Sequence, residues 1–137
     1  MKYIVGSELE TRDVAEKFAK QLKAGDVVLL NGDLGAGKTT FTRFVLQSRG
    51  VKDIVNSPTF SILKSYKGDI IFHHFDTYRI TTDEAIEAGF DEVLDDRDSI
   101  ILIEWSENIE PLLPKHCIVV NIRHTGENSR EIEIINE

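Results

Sequence analysis

With 137 residues, the chain is long enough for one domain with a buried core and too short for two domains of ordinary size. Hydrophobic residues make up 41% and charged residues 29%, which is ordinary for a globular protein. The net charge of −8, with basic residues scattered along the chain, argues against direct binding of nucleic acid. The first residues lack the apolar core of a signal peptide, and no apolar run is long enough to cross a bilayer. We therefore expect a cytoplasmic protein without a membrane partner.

The first predicted elements are a strand and a helix. Residues 2–5 predict a short strand. Ser7, followed three positions later by Glu10, forms the capping-box pattern that begins a helix. Apolar residues then recur at helical spacing as far as Leu22, and Gly25 is expected to end this helix.

A buried strand and a second helix follow. Residues 26–31 contain the continuous apolar run Val27-Val28-Leu29-Leu30, which is typical of a strand buried on both faces. Residues 32–39 form a glycine-rich turn, and residues 38–49 predict a helix that stops at Gly50.

The second half of the chain contains more hairpins. Residues 61–66 and 70–75 predict two strands around a turn at 67–69, and 82–88 predict a helix. Residues 91–98 are acidic and are expected to be less regular, whereas 99–105 predict a second fully buried strand. The last strands, 116–124 and 130–135, pair across a turn at 126–128. This order predicts one α/β domain over residues 1–137, of the P-loop NTPase kind, with a mixed central sheet flanked by helices.

The glycine-rich turn matches the phosphate-loop pattern GxxxxGK[ST] at every defined position. Glycines let backbone N–H groups approach a polyphosphate closely, and the following helix points the positive end of its dipole at it. Lys38 supplies a positive charge for the β and γ phosphates, and the Thr39 hydroxyl is placed to bind Mg²⁺. The pattern predicts Mg-ATP binding at Gly32, Gly35, Ala36, Gly37, Lys38 and Thr39.

Two carboxylates at strand ends are candidates for the metal site and for catalysis. A phosphate-loop site needs an acid at the end of a neighbouring strand, and Glu104 follows the apolar run 100–103. Asp76 follows the strand 70–75 and is the second candidate, although an aspartate at this position is also a common turn former. Trp105, the only tryptophan, is equally consistent with nucleotide contact and with packing in the sheet.

Three further segments accompany the phosphate loop in a fixed order: Ser57-Pro58-Thr59-Phe60, His74-Phe75-Asp76-Thr77-Tyr78-Arg79 and Glu104-Trp105. This set resembles the TsaE (YjeE) family of bacterial P-loop ATPases over nearly the whole chain, from about Ser7 to Arg130. One departure is Ser106, where family members often have a proline. His73 and His74 face opposite sides of a strand. Only His74 matches the family motif, so His73 is interpreted as a surface or packing residue.

The resemblance implies a function in forming N6-threonylcarbamoyladenosine, the modified base next to the anticodon of tRNAs that read codons beginning with A. Family members act with TsaD, which carries out the transfer, and with TsaB, which pairs with TsaD. The chain would hydrolyse ATP on the TsaB–TsaD pair to permit turnover. TsaD rather than this acidic chain would hold the tRNA, so no tight direct tRNA binding is expected.

The resemblance also assigns site residues by position. Lys38 and Thr39 match the phosphate and metal residues, and Glu104 and Asp76 match the two functional carboxylates. Thr40 would contact the α-phosphate, and Thr59 would belong to a switch-like loop near the γ-phosphate. The remaining nucleotide positions are Glu8, Thr11, Trp105 and Arg130. For Glu8 a helix-capping role, and for Arg130 a solvated hairpin position, remain open as alternatives.

Two other functions remain open from the sequence. The first is a nucleotide-dependent binding module, in which the ATP state controls partner affinity and hydrolysis is incidental. No obvious arginine finger is present, with Arg79 the best candidate, and this favours slow turnover by the chain alone. The second is a small-molecule kinase, for which 137 residues leave little room for a lid and an acceptor pocket.

Overall fold

The computed structural model of the protein describes residues 1–32, 37–52, 63–77, 80–104 and 106–136. Within these ranges seven strands form one sheet: β1 (Lys2–Val5), β2 (Val27–Asn31), β3 (Leu63–Lys67), β4 (Ile71–Asp76), β5 (Ser99–Glu104), β6 (Ile118–His124) and β7 (Arg130–Asn136). The helices described are α1 (Glu8–Gln21), α2 (Lys38–Ser48), α3 (Thr82–Glu87) and α4 (Phe90–Leu94), with a 3₁₀ segment at Ser106–Leu112.

The sheet is mixed, with the strand order β1-β7-β6-β2-β5-β4-β3. Its centre is parallel: β2 pairs with β5 on one side and β6 on the other, and β4 pairs with the far side of β5. The edges are antiparallel, because β3 pairs with β4, while β7 pairs with β6 and β1. The predicted α/β class with a mixed central sheet is therefore confirmed, as are both predicted hairpins.

Helices cover both faces of the sheet. On one face, α1 and α2 pack in a core where the rings of Phe18 and Phe41 lie 5.7 Å apart between centroids. On the other face, α3, α4 and the 3₁₀ segment cover the central strands, and Phe75 meets Phe90 edge-on at 4.9 Å. Burying each such phenylalanine contributes roughly 1.5–3 kcal/mol. Strand β5, buried at all six positions, lies between the two cores, as its apolar sequence predicted.

The first helix begins as predicted and ends earlier than predicted. The Ser7 hydroxyl accepts from the Glu10 N–H at 3.2 Å, while the Glu10 carboxylate accepts from the N–H of Gly6 at 2.9 Å. The helix ends at Gln21, with Leu22 already extended, rather than at Gly25. Gly25 adopts a positive φ of 91° in the turn that leads to β2.

The acidic stretch 91–98 was expected to be irregular, and for its first part this was wrong. Its first residues belong to α4, which begins after Gly89 at a positive φ of 95° and buries Phe90. The preceding helix, α3, confirms its prediction and carries a full capping box between Thr81 and Glu84. No helix among the residues that the structure describes is long and apolar enough to cross a membrane.

Candidate functional site

The candidate site lies where three neighbouring parallel strands end. Strand β2 ends at Asn31, just before the glycine-rich turn, and pairs on one side with β5, which ends at Glu104. Strand β4 pairs with the far side of β5 and ends at Asp76. Parallel strands present their carboxyl ends at the same edge of a sheet, which is where open α/β sheets bind ligands. Gly32, where the phosphate loop begins, and both predicted carboxylates therefore lie at this edge.

The start of α2 has the backbone arrangement of an anion site. Gly37 is its N-cap, with a positive φ of 106°, and no side chain caps the helix. No acidic residue occupies the first turn, so the N–H groups there face no competing carboxylate of their own helix. A phosphate at this position would accept from these N–H groups and meet the positive end of the helix dipole.

Lys38, the first residue of α2, is folded against the loop. Its side chain is buried, and Nζ donates to the carbonyl oxygen of Gly32 at 2.6 Å. The ammonium group is therefore held at Gly32, the first residue of the glycine-rich pattern, and its predicted contact with the β and γ phosphates stays a prediction. Residues 33–36 lie outside the described residues, so the predicted contacts of Gly35 and Ala36 stay predictions.

The two carboxylates face the same side of the sheet as α2. In β4 and β5, the alternate residues Phe72 and Leu102 pack in the core beneath α1 and α2. Asp76 and Glu104 continue that alternation, because residues two apart in a strand share a face. Glu104 is only 3% exposed, and its Oε2 lies 2.8 Å from Nε2 of His74, which is fully buried.

The backbone of Glu104 is fixed separately from its side chain. Its carbonyl oxygen accepts from the N–H of Thr77 at 3.1 Å and from the Thr77 hydroxyl at 2.9 Å. Thr77 is itself fully buried and follows Asp76 directly. These two bonds tie the end of β4 to the end of β5, so the two carboxylates are carried on one rigid strand edge.

The donor set fits a magnesium ion. Thr39 offers a hydroxyl, and Glu104 and Asp76 offer carboxylates, which are the hard oxygen ligands that Mg²⁺ prefers. Across the described part of the chain, no three His, Cys, Asp or Glu side chains are grouped as metal ligands. A magnesium ion here would draw the rest of its coordination from phosphate oxygens and water, as is usual for this ion in nucleotide sites.

A cavity of about 380 Å³ opens beside the start of α2. This volume is within the usual range of small-molecule sites. The cavity brings together Glu8 and Thr11 of α1, Gly37 and Thr40 at the phosphate-loop end, and Arg130 of β7. These five residues come from three separate parts of the sequence and were predicted to lie near the nucleotide. The structure places all five around one space.

Arg130 lies against the phosphate-loop end of this cavity. It is the first residue of β7 and pairs with Val5 on one side and His124 on the other. Its Nε is 3.8 Å from the point where a Cβ would stand on Gly37. The arginine is half-buried rather than a freely solvated hairpin residue, and its charge is next to the predicted polyphosphate position.

Several lining residues were not predicted as part of a site. The cavity also contacts Asn128 and the apolar side chains of Ile122 and Ile132, together with Gly6 and Ser7. Ser7 was interpreted only as the helix cap, a role it does have. No local pattern marks the others, because they reach the cavity only through the pairing of β1, β7 and β6.

Some predicted residues cannot be placed. Trp105, the segment with Thr59, and Arg79 lie outside the residues that the structure describes. His73 is on the opposite sheet face from His74, as predicted, where it contacts Ser65 at 2.8 Å and Asp96 at 3.3 Å. The hydrogen bond from His73 lowers the pKa of the Asp96 carboxyl. This group links the β3–β4 hairpin to the loop before β5 and is not part of the edge that carries Glu104.

The fold and site define a class of protein. A buried parallel strand leads through a glycine-rich loop into a helix with an uncapped amino end, and carboxylates stand at the ends of the strands alongside. This is the arrangement of P-loop nucleotide-binding proteins.

Comparison with known proteins identifies the family. Residues 5–132 match the family model described as "Threonylcarbamoyl adenosine biosynthesis protein TsaE". A Rickettsia felis protein named tRNA threonylcarbamoyladenosine biosynthesis protein TsaE is 44% identical over 96% of this chain and 78% of its own length. The Bacillus subtilis protein of the same name is 42% identical over 90% of this chain and 77% of its own length.

A solved structure agrees with this assignment. The crystal structure of Bacillus subtilis YdiB aligns with a TM-score of 0.85 at 35% identity, covering 99% of this chain and 84% of that one. The chain belongs to the TsaE family of tRNA threonylcarbamoyladenosine biosynthesis.

Proposed function

We propose that this chain binds Mg-ATP at the sheet edge formed by β2, β5 and β4 and hydrolyses it during tRNA threonylcarbamoyladenosine formation. The observation that carries the proposal is the meeting of three features at one edge. These are the uncapped start of α2, the buried Lys38, and the paired strand ends that bear Asp76 and Glu104. Each addresses a different need of phosphoryl transfer, which depends mainly on positioning and on charge stabilisation.

The phosphate end of the site accounts for binding. Backbone N–H groups at the start of α2 would donate to phosphate oxygens, and Lys38 would add a positive charge for the β and γ phosphates. Thr39 follows Lys38 in α2 and carries the hydroxyl that would bind the metal ion. A bound magnesium ion would neutralise phosphate charge, with Thr39 and Glu104 as the residues that would hold it.

The strand-end carboxylates account for hydrolysis. Water must be held in line with the bond that breaks, and its proton must have an acceptor. Asp76 is half-buried at the end of β4, while Glu104 is buried at the end of β5. We assign Glu104 to the magnesium shell and Asp76 to the attacking water.

The cavity beside the start of α2 would bind the nucleoside part of ATP. The cavity is lined by apolar residues, Ile122 and Ile132, and by the polar residues Glu8 and Thr11 at the α1 side, a mixture that suits a nucleoside. Thr40 and Arg130 line the cavity together with Gly37 at the start of α2, where the α-phosphate would lie. A nucleotide would therefore run from the α1 side of the cavity toward Lys38.

We further propose that the chain acts with TsaD and TsaB. The names of its relatives place the family in tRNA threonylcarbamoyladenosine biosynthesis, and a net charge of −8 leaves tRNA binding to a partner. ATP hydrolysis by this chain would then permit the TsaB–TsaD pair to turn over. The chain alone would be a slow ATPase.

Reconstitution tests the proposal. TsaB, TsaD, tRNA and threonylcarbamoyl-adenylate are combined with or without this chain, and with ATP or a non-hydrolysable analogue. We expect repeated turnover only with both the chain and ATP, and ATP hydrolysis that rises when TsaB–TsaD is added. Equal modification with the analogue would support a binding module in which hydrolysis is incidental. Equal modification without the chain would overturn the proposed function altogether.

A further inference from the structure

His74 is a buried side chain on β4 that has no assigned role in the proposed function. It is 0% exposed, and Nε2 lies 2.8 Å from Oε2 of Glu104, which is 3% exposed. Its other ring nitrogen, Nδ1, is also buried and has no hydrogen-bond partner within the described part of the chain. Burying a polar group destabilises the fold unless the group forms a hydrogen bond, so this contact requires an explanation beyond packing.

The contact crosses from one strand to the next on a diagonal. In the parallel pairing of β4 with β5, His74 stands opposite Leu102, and Asp76 stands opposite Glu104. His74 therefore reaches two residues along β5 to the carboxylate. Diagonal neighbours in a sheet are within reach only of long or aromatic side chains, which an imidazole satisfies.

The direction of this hydrogen bond follows from its partner. An ionised carboxylate only accepts, so Nε2 carries the hydrogen and donates it to Oε2. The backbone carbonyl of Glu104 is held by Thr77, which leaves the carboxylate orientation to a different contact. Among the residues that the structure describes, His74 is the hydrogen-bond partner of that carboxylate.

We infer that His74 is a positioning residue that holds the Glu104 carboxylate in the orientation required for the magnesium shell of the nucleotide site. The inference rests on the proposed function. The hydrogen bond occupies one carboxylate oxygen and leaves the other for the ion or its water. Groups that orient a metal-binding side chain in this way typically change metal affinity by about 10–100-fold when removed.

Magnesium-dependent ADP binding tests the inference without relying on turnover. The measured quantity is the ratio of ADP affinities with and without Mg²⁺, by calorimetry. His74→Gln keeps an N–H donor near the Nε2 position, His74→Asn is too short to reach Glu104, and His74→Leu removes the donor while filling space. His73→Leu, on the opposite face of the same strand, is the matched control, because it also replaces a histidine that has side-chain contacts, here with Ser65 and Asp96.

We expect the ratio of ADP affinities with and without Mg²⁺ to fall about tenfold or more in His74→Leu and His74→Asn. The affinity for ADP in the absence of metal should be unchanged. In His74→Gln this affinity ratio should stay close to the wild-type value, and in His73→Leu it should equal the wild-type value. If His74→Leu fails to fold, the Gln and Asn variants decide: equal ratios in these two would overturn the inference. A wild-type ratio in His74→Leu would also overturn it.

The same experiment separates this inference from the proposed function. If the wild-type protein binds ADP equally well with and without Mg²⁺, the proposed magnesium site is wrong, whatever the variants show. In a Glu104→Ala background, His74→Asn should have no further effect on the ratio, because the histidine acts through the carboxylate. A further loss of tenfold or more there would show that His74 acts on the ion by another route, contrary to the inference.

Discussion

Asp76 and Glu104 stand directly opposite each other in the parallel pairing of β4 with β5, at the end where both strands stop. Their surroundings differ, because Glu104 is buried against His74 whereas Asp76 is only half-buried. Two carboxylates on one edge with different environments are suited to different tasks. This relationship leads to the first prediction.

Replacing Asp76 by Asn should remove hydrolysis while leaving the fold intact. The amide keeps the shape of the side chain and removes its charge, so ATP binding and thermal stability should be close to wild type. Single-turnover hydrolysis at saturating Mg²⁺ should fall about 100-fold or more, because positioning of the attacking water is lost. Glu104→Gln, measured alongside, should instead weaken the response to Mg²⁺. Normal hydrolysis by an Asp76→Asn protein that melts much earlier would make Asp76 a structural turn residue.

Replacing Lys38 by Ala should weaken ATP binding by about 10–100-fold. Hydrogen bonds to charged groups contribute roughly 1.5–3 kcal/mol, and Lys38 is the charge held beside the phosphate loop. Calorimetry with Mg-ATP measures the loss. Lys20→Ala, an exposed lysine in the last turn of α1, is the control and should bind as wild type does. Wild-type affinity in Lys38→Ala would show that the loop has only a structural role.

Replacing Gly37 by Ala should reduce both stability and nucleotide binding. A left-handed conformation costs a residue with a Cβ about 1–2 kcal/mol, which chemical unfolding would measure. Gly89→Ala is a close control, because Gly89 is also a helix N-cap and has nearly the same φ and ψ. Both variants should lose similar stability, whereas only Gly37→Ala should bind ATP about tenfold or more weakly. Equal ATP affinity in the two variants would remove Gly37 from the phosphate site.

Replacing Arg130 by Ala should lower ATP affinity by about tenfold, because its charge lies next to the predicted phosphate position. Arg123, on the same β6–β7 hairpin, is the matched control. It forms an exposed ion pair with Glu131, which lowers the pKa of that carboxyl and raises the pKa of the guanidinium. Exposed pairs contribute little, so Arg123→Ala should retain affinity and stability. An equal loss in both variants would point to a general effect of charge on the hairpin.

The chain alone should not bind tRNA at physiological salt. Binding to nucleic acid depends on neutralising phosphates and releasing their counterions, and a net charge of −8 provides little of either. A gel shift with purified protein over a range of salt concentrations is sufficient. Tight binding that weakens steeply with salt would contradict the proposal that a partner holds the tRNA.

Local patterns in the sequence were sufficient for most elements and for the phosphate loop. The apolar runs of β2 and β5 and the capping serine of α1 each depend on neighbours within a few residues, and each appears where it was predicted. The short helix α4 was missed because its sequence is acidic and has only one buried residue, Phe90, which gives no helical pattern. The position of Gly25 misled the prediction of where α1 ends, because the helix stops three residues before the turn that needs a positive φ.

The tertiary structure alone decided which side chains meet. Sequence patterns predicted that Glu104 and Asp76 end strands, but the strand order and register place them side by side and bring His74 against Glu104. The same is true of Arg130 and Gly37, which meet because β7 lies between β6 and β1. Strand order and register depend on how whole hydrophobic faces pack on the helices, and no window of neighbouring residues contains that information.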